Sequence, residues 1–65
     1  DFDLSPRERE VLKWAADGKT AWETGQLIGV SERAIRLYTE NAMSKLKAKT
    51  KTQAVAIAVR NQILH

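Results

Sequence analysis

The sequence predicts an all-α domain of four helices, the middle two joined by a tight turn. Three observations predict it. Hydroxyl residues of the kind that cap helix N-termini recur at Ser5, Thr20, Ser31 and Thr50, and a Glu or Gln follows three of them at the third position. Between these caps, apolar residues return at a spacing of three to four. Val, Ile, Tyr, Phe and Thr nowhere alternate over a strand-length run.

The first helix has the clearest start. Ser5 is its N-cap, Pro6 occupies N1, and Glu8 at N3 completes a capping box. The helix runs to about Asp17, and Gly18 stops it. Val11, Leu12, Trp14 and Ala15 give it an apolar side. Thr20 and Glu23 form a second capping box, opening a short helix from about Ala21 to Ile28 that Gly29 ends. Val30 buries the turn and Ser31 caps the next helix. A short helix, a glycine turn and a newly capped helix make a helix-turn-helix pattern.

The third helix spans about Glu32 to Lys47. Ile35, Thr39, Ala42 and Leu46 cluster on one side, flanked by Tyr38, while Arg33, Arg36, Leu37, Glu40 and Ser44 lie opposite. A basic connector from Lys47 to Lys51 leads to a fourth helix, about Lys51 to Gln62, capped by Thr50 with Gln53 as its N3 partner. Val55, Ala58, Val59 and Ile63 form one apolar stripe, expected in the core. Ala54, Ile57 and Leu64, with Asn61 between them, form a second. A four-helix domain needs only one buried stripe, so the second is expected to meet another chain; scattered surface apolar residues are the alternative. Trp14 and Trp22 read as packing residues rather than stacking platforms.

Composition narrows the function. A chain of 65 residues is one small domain, marginal without good helix packing or a partner subunit. It has no cysteine, and its one histidine is the terminal His65, which excludes disulfides and thiolate or histidine zinc sites. The absence of cysteine fits a reducing cytoplasm. The longest apolar run, Ala54 to Val59, is far too short to span a membrane. The chain opens on Asp1 rather than methionine and shows no signal peptide, so it is expected to be a piece of a longer protein. Net charge is +3, and its distribution is uneven. Between Arg33 and Lys51 lie Arg33, Arg36, Lys45, Lys47, Lys49 and Lys51 against the single acid Glu40. That basic stretch suits a polyanion; a solvated charged face is the other reading.

Catalysis finds little support. No histidine is placed as a general base, and no nucleophile pair is present. Glu8, Glu10 and Glu23 sit in first turns, where capping and the helix dipole explain them. Gly18-Lys19-Thr20 has the end of a phosphate-binding loop, but position 13 is Lys13 rather than glycine and the lead-in is helical, so that motif fails. The outward side of the third helix is the functional candidate. An α-helix fits the major groove of B-DNA. There Arg33 and Arg36 can each donate two hydrogen bonds to a guanine, Glu40 can accept from a cytosine amino group, and Leu37 can touch a thymine methyl. Lys19, Thr20, Lys45, Lys47 and Lys49 are the candidate phosphate contacts, setting position without reading sequence. A surface ion pair between Arg36 and Glu40 is the bland alternative.

Together these residues form a recognisable pattern. Leu4-Ser5-Pro6-Arg7-Glu8-Arg9-Glu10-Val11-Leu12 resembles the opening of the LuxR-type (GerE-like) domain of bacterial transcription regulators. Gly18-Lys19-Thr20, Glu23, Leu27, Val30-Ser31, Asn41, Lys45, Leu46, Thr52, Ala54 and Val55 continue it. The resemblance implies that the third helix reads double-stranded DNA. It also implies a symmetric homodimer through the fourth helix, for which Ala54, Ile57, Asn61 and Leu64 are the expected face. It implies a place at the nucleoid of a bacterial cytoplasm, with no cofactor. Trp14, together with Gly18-Lys19-Thr20 and Trp22-Glu23, resembles the quorum-sensing branch, in which a separate N-terminal domain binds an acyl-homoserine lactone inducer. Thr24, Gly25, Ala34 and Tyr38 depart from the family pattern, all within the helix-turn-helix. Those departures leave open a degenerate member acting as a protein-interaction or dimerisation module.

Overall fold

The structure is a computed structural model and describes residues 3–63. Its elements are α1 (Pro6–Ala16), α2 (Ala21–Ile28), α3 (Glu32–Leu46) and α4 (Lys51–Arg60). Each start is chemically explicit. The Ser5 and Thr20 hydroxyls accept from the backbone N–H of Glu8 (3.2 Å) and Glu23 (3.1 Å), and each glutamate accepts in return from the cap's own N–H at 2.9 Å. Ser31 accepts from the Ala34 N–H at 3.0 Å and Thr50 from the Gln53 N–H at 3.0 Å. Gln53 closes back on the N–H of Lys49 (2.7 Å), one residue before the cap, rather than on Thr50 itself. These bonds satisfy N–H groups that the helix geometry leaves without a carbonyl partner.

The ends are equally local. Gly29 stands at φ 77° as the left-handed C-cap of α2, a conformation that costs a side chain about 1–2 kcal/mol. Lys47 does the same for α3 at φ 57°, without the help of glycine.

α3 is the axis of the domain: it packs against α1, α2 and α4, whereas α2 and α4 do not touch each other among the described residues. Its buried side is Ile35, Thr39, Ala42 and Leu46, as the spacing predicts. The main core joins Leu4, Leu12, Ala42, Leu46, Ala54 and Ala58, and Val11 and Ile35 are buried as fully. The whole measures 29 × 19 × 19 Å.

Three expectations about packing are corrected. Ala54, expected on a dimer face, is completely buried, and Ile57 packs partly against the same core. Val59, expected in the core, is 57% exposed. The reason is steric: Ala54 and Ala58 are one turn apart, and their small side chains let α4 lie close to α1 and α3, with Val55 and Ile57 straddling the contact. The helix is therefore rotated from the orientation that its larger residues imply. Asn61 is exposed beyond the helix end, its amide donating to the Ile57 carbonyl at 2.8 Å; Leu64 lies outside the described residues. Lastly, Trp22 is 59% exposed and so is not a core residue.

Two family departures gain physical reasons. Thr24 is buried at 2% exposure, and its hydroxyl donates to the Thr20 carbonyl at 2.9 Å, so the polar atom carries no unmet bond. Gly25 faces the turn: a Cβ there would stand 2.6 Å from the Val30 carbonyl oxygen. The glycine, mid-helix and otherwise unfavourable by about 1 kcal/mol, is what lets the turn close on α2.

Candidate nucleic-acid interface

The α2–turn–α3 unit presents one side of α3 to solvent. Arg33, Leu37, Glu40, Asn41 and Ser44 are exposed, and Leu37 at 57% is one of the largest exposed apolar side chains of the domain. Ser31, Arg33, Ala34, Arg36, Leu37 and Glu40 line a single shallow concavity. The four residues expected to meet bases are thus brought together. The surface pair between Arg36 and Glu40, the alternative to base reading, does not form. Arg36 instead donates from Nη2 to Oε2 of Glu32 at 2.6 Å, one turn towards the N-terminus. Among the described residues, Arg33 and Glu40 enter no ion pair.

The expected phosphate contacts divide. Lys47 and Lys49 are exposed in the α3–α4 connector. Lys19 lines a second concavity with Gly18, Lys51 and Thr52, which sets the α1–α2 loop beside the start of α4. Lys51, the last cation of the basic connector, is thereby placed next to Lys19, a proximity that only the fold reveals. At the start of α2, Thr20 and Glu23 are committed to each other. The Thr20 backbone N–H, and then its side chain, hold the Glu23 carboxyl below the usual carboxylate range against a smaller effect of desolvation. The first-turn N–H groups of Ala21 and Trp22 and the positive end of the helix remain for an anion.

Lys45 is engaged within the domain. Its ammonium donates to Oε1 of Glu8 at 2.8 Å, tying the end of α3 to the start of α1. Glu8 is 6% exposed at its side chain and Lys45 41%. Burial alone would push the Glu8 carboxyl up. The hydrogen bonds from Lys45 and the Ser5 N–H, with the lysine's charge, outweigh it and bring it below the usual range. An ammonium that neutralises a buried carboxylate belongs to the fold. Lys45 is therefore less free to meet a phosphate than Lys47 and Lys49, which enter no ion pair among the described residues.

Among the described residues no group of histidine, cysteine or carboxylate side chains is arranged to hold a metal. No helix among them is long and apolar enough to cross a membrane.

Comparison with known proteins decides the family. The sequence profile described as "Bacterial regulatory proteins, luxR family" matches residues 3–58. The chain belongs to this family. Transcriptional activator protein BjaR1 of Bradyrhizobium diazoefficiens is 44% identical over 62 residues, which cover 95% of this chain and 26% of that protein. The HTH-type quorum sensing-dependent transcriptional regulator RpaR of Rhodopseudomonas palustris is 46% identical over 56 residues, 86% of this chain and 23% of that one. The chain thus spans about a quarter of the length of these relatives. Among solved structures, SdiA in complex with octanoyl-rac-glycerol superposes with a TM-score of 0.91 at 33% identity, covering all of this chain and 27% of that one. The transcription factor GerE superposes at 0.90 with 24% identity, covering 95% of this chain and 92% of its own, and shows the same all-α fold. This luxR-family domain is a DNA-binding helix-turn-helix of transcription regulators rather than an enzyme.

Proposed function

We propose that this luxR-family domain is the C-terminal effector of a quorum-sensing transcription regulator and binds DNA sequence-specifically by laying α3 in the major groove. The observation that carries the reading is the α3 concavity, where two arginines, a leucine and a glutamate converge on a helix whose opposite side is wholly buried. Arg33, Arg36, Leu37 and Glu40 contact bases. Lys19, the first turn of α2 from Thr20 onward, Lys47, Lys49 and Lys51 hold phosphates. The relatives named above are transcription regulators, one of them quorum sensing-dependent, which supports the regulatory setting. An acyl-homoserine lactone would act through a separate N-terminal domain, and the protein would work at the nucleoid in a bacterial cytoplasm. Two copies would meet through the outer side of α4, around the exposed Val59 and Asn61, and so address two-fold related half-sites.

The test is binding to mixed genomic duplex DNA at two salt concentrations, for the native chain and for Arg33→Ala with Arg36→Ala. Native binding should weaken steeply with salt through counterion release, and the double variant should lose that salt-sensitive binding. A native chain that fails to bind at low salt and high protein concentration overturns the reading. A second reading draws on Trp22 and Leu27, exposed by 59% and 52% on α2, which offer apolar surface to another protein. Binding of that kind would be nearly indifferent to salt.

A further inference from the structure

The two arginines of the α3 concavity are not equivalent. Arg33 stands unpaired, whereas Arg36 is fixed by Glu32, the first residue of the helix. The Glu32 carboxylate engages Nη2 alone, at 2.6 Å. A guanidinium offers five N–H donors in a rigid planar fork, so one occupied nitrogen leaves the opposite edge free while narrowing the orientations open to the group. The spacing is i, i+4 with the acid on the N-terminal side, the arrangement that suits both the helix geometry and its dipole. Arg36 is still 67% exposed at its side chain, so the brace orients the group without hiding it.

Charge points the same way. Glu32 and Glu40 offset Arg33 and Arg36, so this side of α3 is close to neutral. Such a surface contributes little to the salt-dependent attraction of phosphates, which falls to Lys19, Lys47, Lys49 and Lys51. It is suited to discrimination, in which an arginine held in one orientation loses less freedom on meeting the two acceptors of a guanine.

We infer that Glu32 is a positioning residue that sets the sequence preference of this domain, by holding Arg36 ready to read one guanine while itself touching no base. The inference rests on the DNA-binding reading above. Its test is selection of binding sites from a randomised duplex pool by the native chain, Glu32→Gln, Arg36→Ala and the double variant, with total pool affinity and thermal melting measured alongside. Removing the acid takes a negative charge away from DNA, so Glu32→Gln should bind the unselected pool as tightly as the native chain or more tightly. Its preference for guanine at one position should nevertheless fall about three- to tenfold. In the Arg36→Ala background, Glu32→Gln should change that preference no further. A motif of unchanged sharpness from Glu32→Gln overturns the inference and leaves the DNA-binding reading standing. So does a uniform loss across all sequences with a lowered melting temperature, the mark of a purely structural role. A native chain that enriches no sequence overturns the DNA-binding reading itself, and the inference with it.

Discussion

Replacing Gly25 by alanine sets two opposing effects against each other at one atom. In a helix interior, alanine is favoured over glycine by about 1 kcal/mol. At this position the added Cβ would lie 2.6 Å from the Val30 carbonyl oxygen, with the Ser31 carbonyl carbon and the Glu32 nitrogen each at 3.5 Å. Ordinary contact begins near 3.4 Å, so the oxygen would have to retreat by about 0.8 Å. It is backbone, and it cannot swing aside as a side-chain end would. The Val30 N–H also donates to the Gly25 carbonyl at 3.1 Å, and the Gly29 N–H donates to the same carbonyl at 2.9 Å, so moving the turn strains both bonds. Overpacking of this kind costs about 1–3 kcal/mol. The steric effect wins, and Gly25→Ala should destabilise the domain by a net 1 kcal/mol or so, and by no more than about 2. In a domain of this size each kcal/mol lowers Tm by about 4–8 °C. Thermal and urea unfolding followed by circular dichroism would read it, and DNA affinity should fall too, because the clash lies between α2 and the start of α3. A Gly25→Ala variant as stable as the native chain would refute the steric argument.

The buried tie between α1 and α3 gives a pH signature. Because the folded Glu8 carboxyl sits below its ordinary value of 4.5, its contribution is complete above that pH and is lost as pH falls through the lower, folded value. Glu8→Gln should lose about 1–2 kcal/mol at neutral pH, less than a fully buried pair because Lys45 is half in solvent. Its unfolding free energy should also fall less steeply in acid than that of the native chain; parallel curves would remove the tie from the acid response. On α4, Ala54→Leu should cost about 1–3 kcal/mol of monomer stability in denaturant unfolding by overfilling the contact with α1 and α3. Val59→Ser should leave unfolding within about 0.5 kcal/mol and should weaken self-association in sedimentation; an effect on unfolding alone would place Val59 outside any interface.

The boundaries of α1 to α4 were legible because caps are local: Ser5, Thr20, Ser31 and Thr50 each act on a backbone N–H three residues away. The outward side of α3 was legible because a single helix has one periodicity, and Ile35, Thr39, Ala42 and Leu46 fix it. What the sequence withheld depends on distant partners. Glu8 read as a cap alone, because Lys45, its other partner, lies 37 positions along the chain. Gly25 read as an unfavourable residue, because the carbonyl it accommodates belongs to the far side of the turn. The orientation of α4 was misread because alanine carries little hydrophobic signal. Ala54 and Ala58 define the contact through their smallness, and Val59 and Ile57 attracted the assignment through their size.

The division of α3 into a side that holds the domain together and a side that meets nothing within it has an evolutionary consequence. Arg33, Leu37 and Glu40 support no neighbour, so exchanging them leaves the core and the caps as they were. If these residues read bases as proposed, a lineage carrying this domain can change the DNA sequences it binds through substitutions nearly neutral for folding. Paralogues in one cell can diverge in targets while sharing an unaltered scaffold. Residues such as Gly25 and Ala54 lack that freedom, because their neighbours leave them no room to grow.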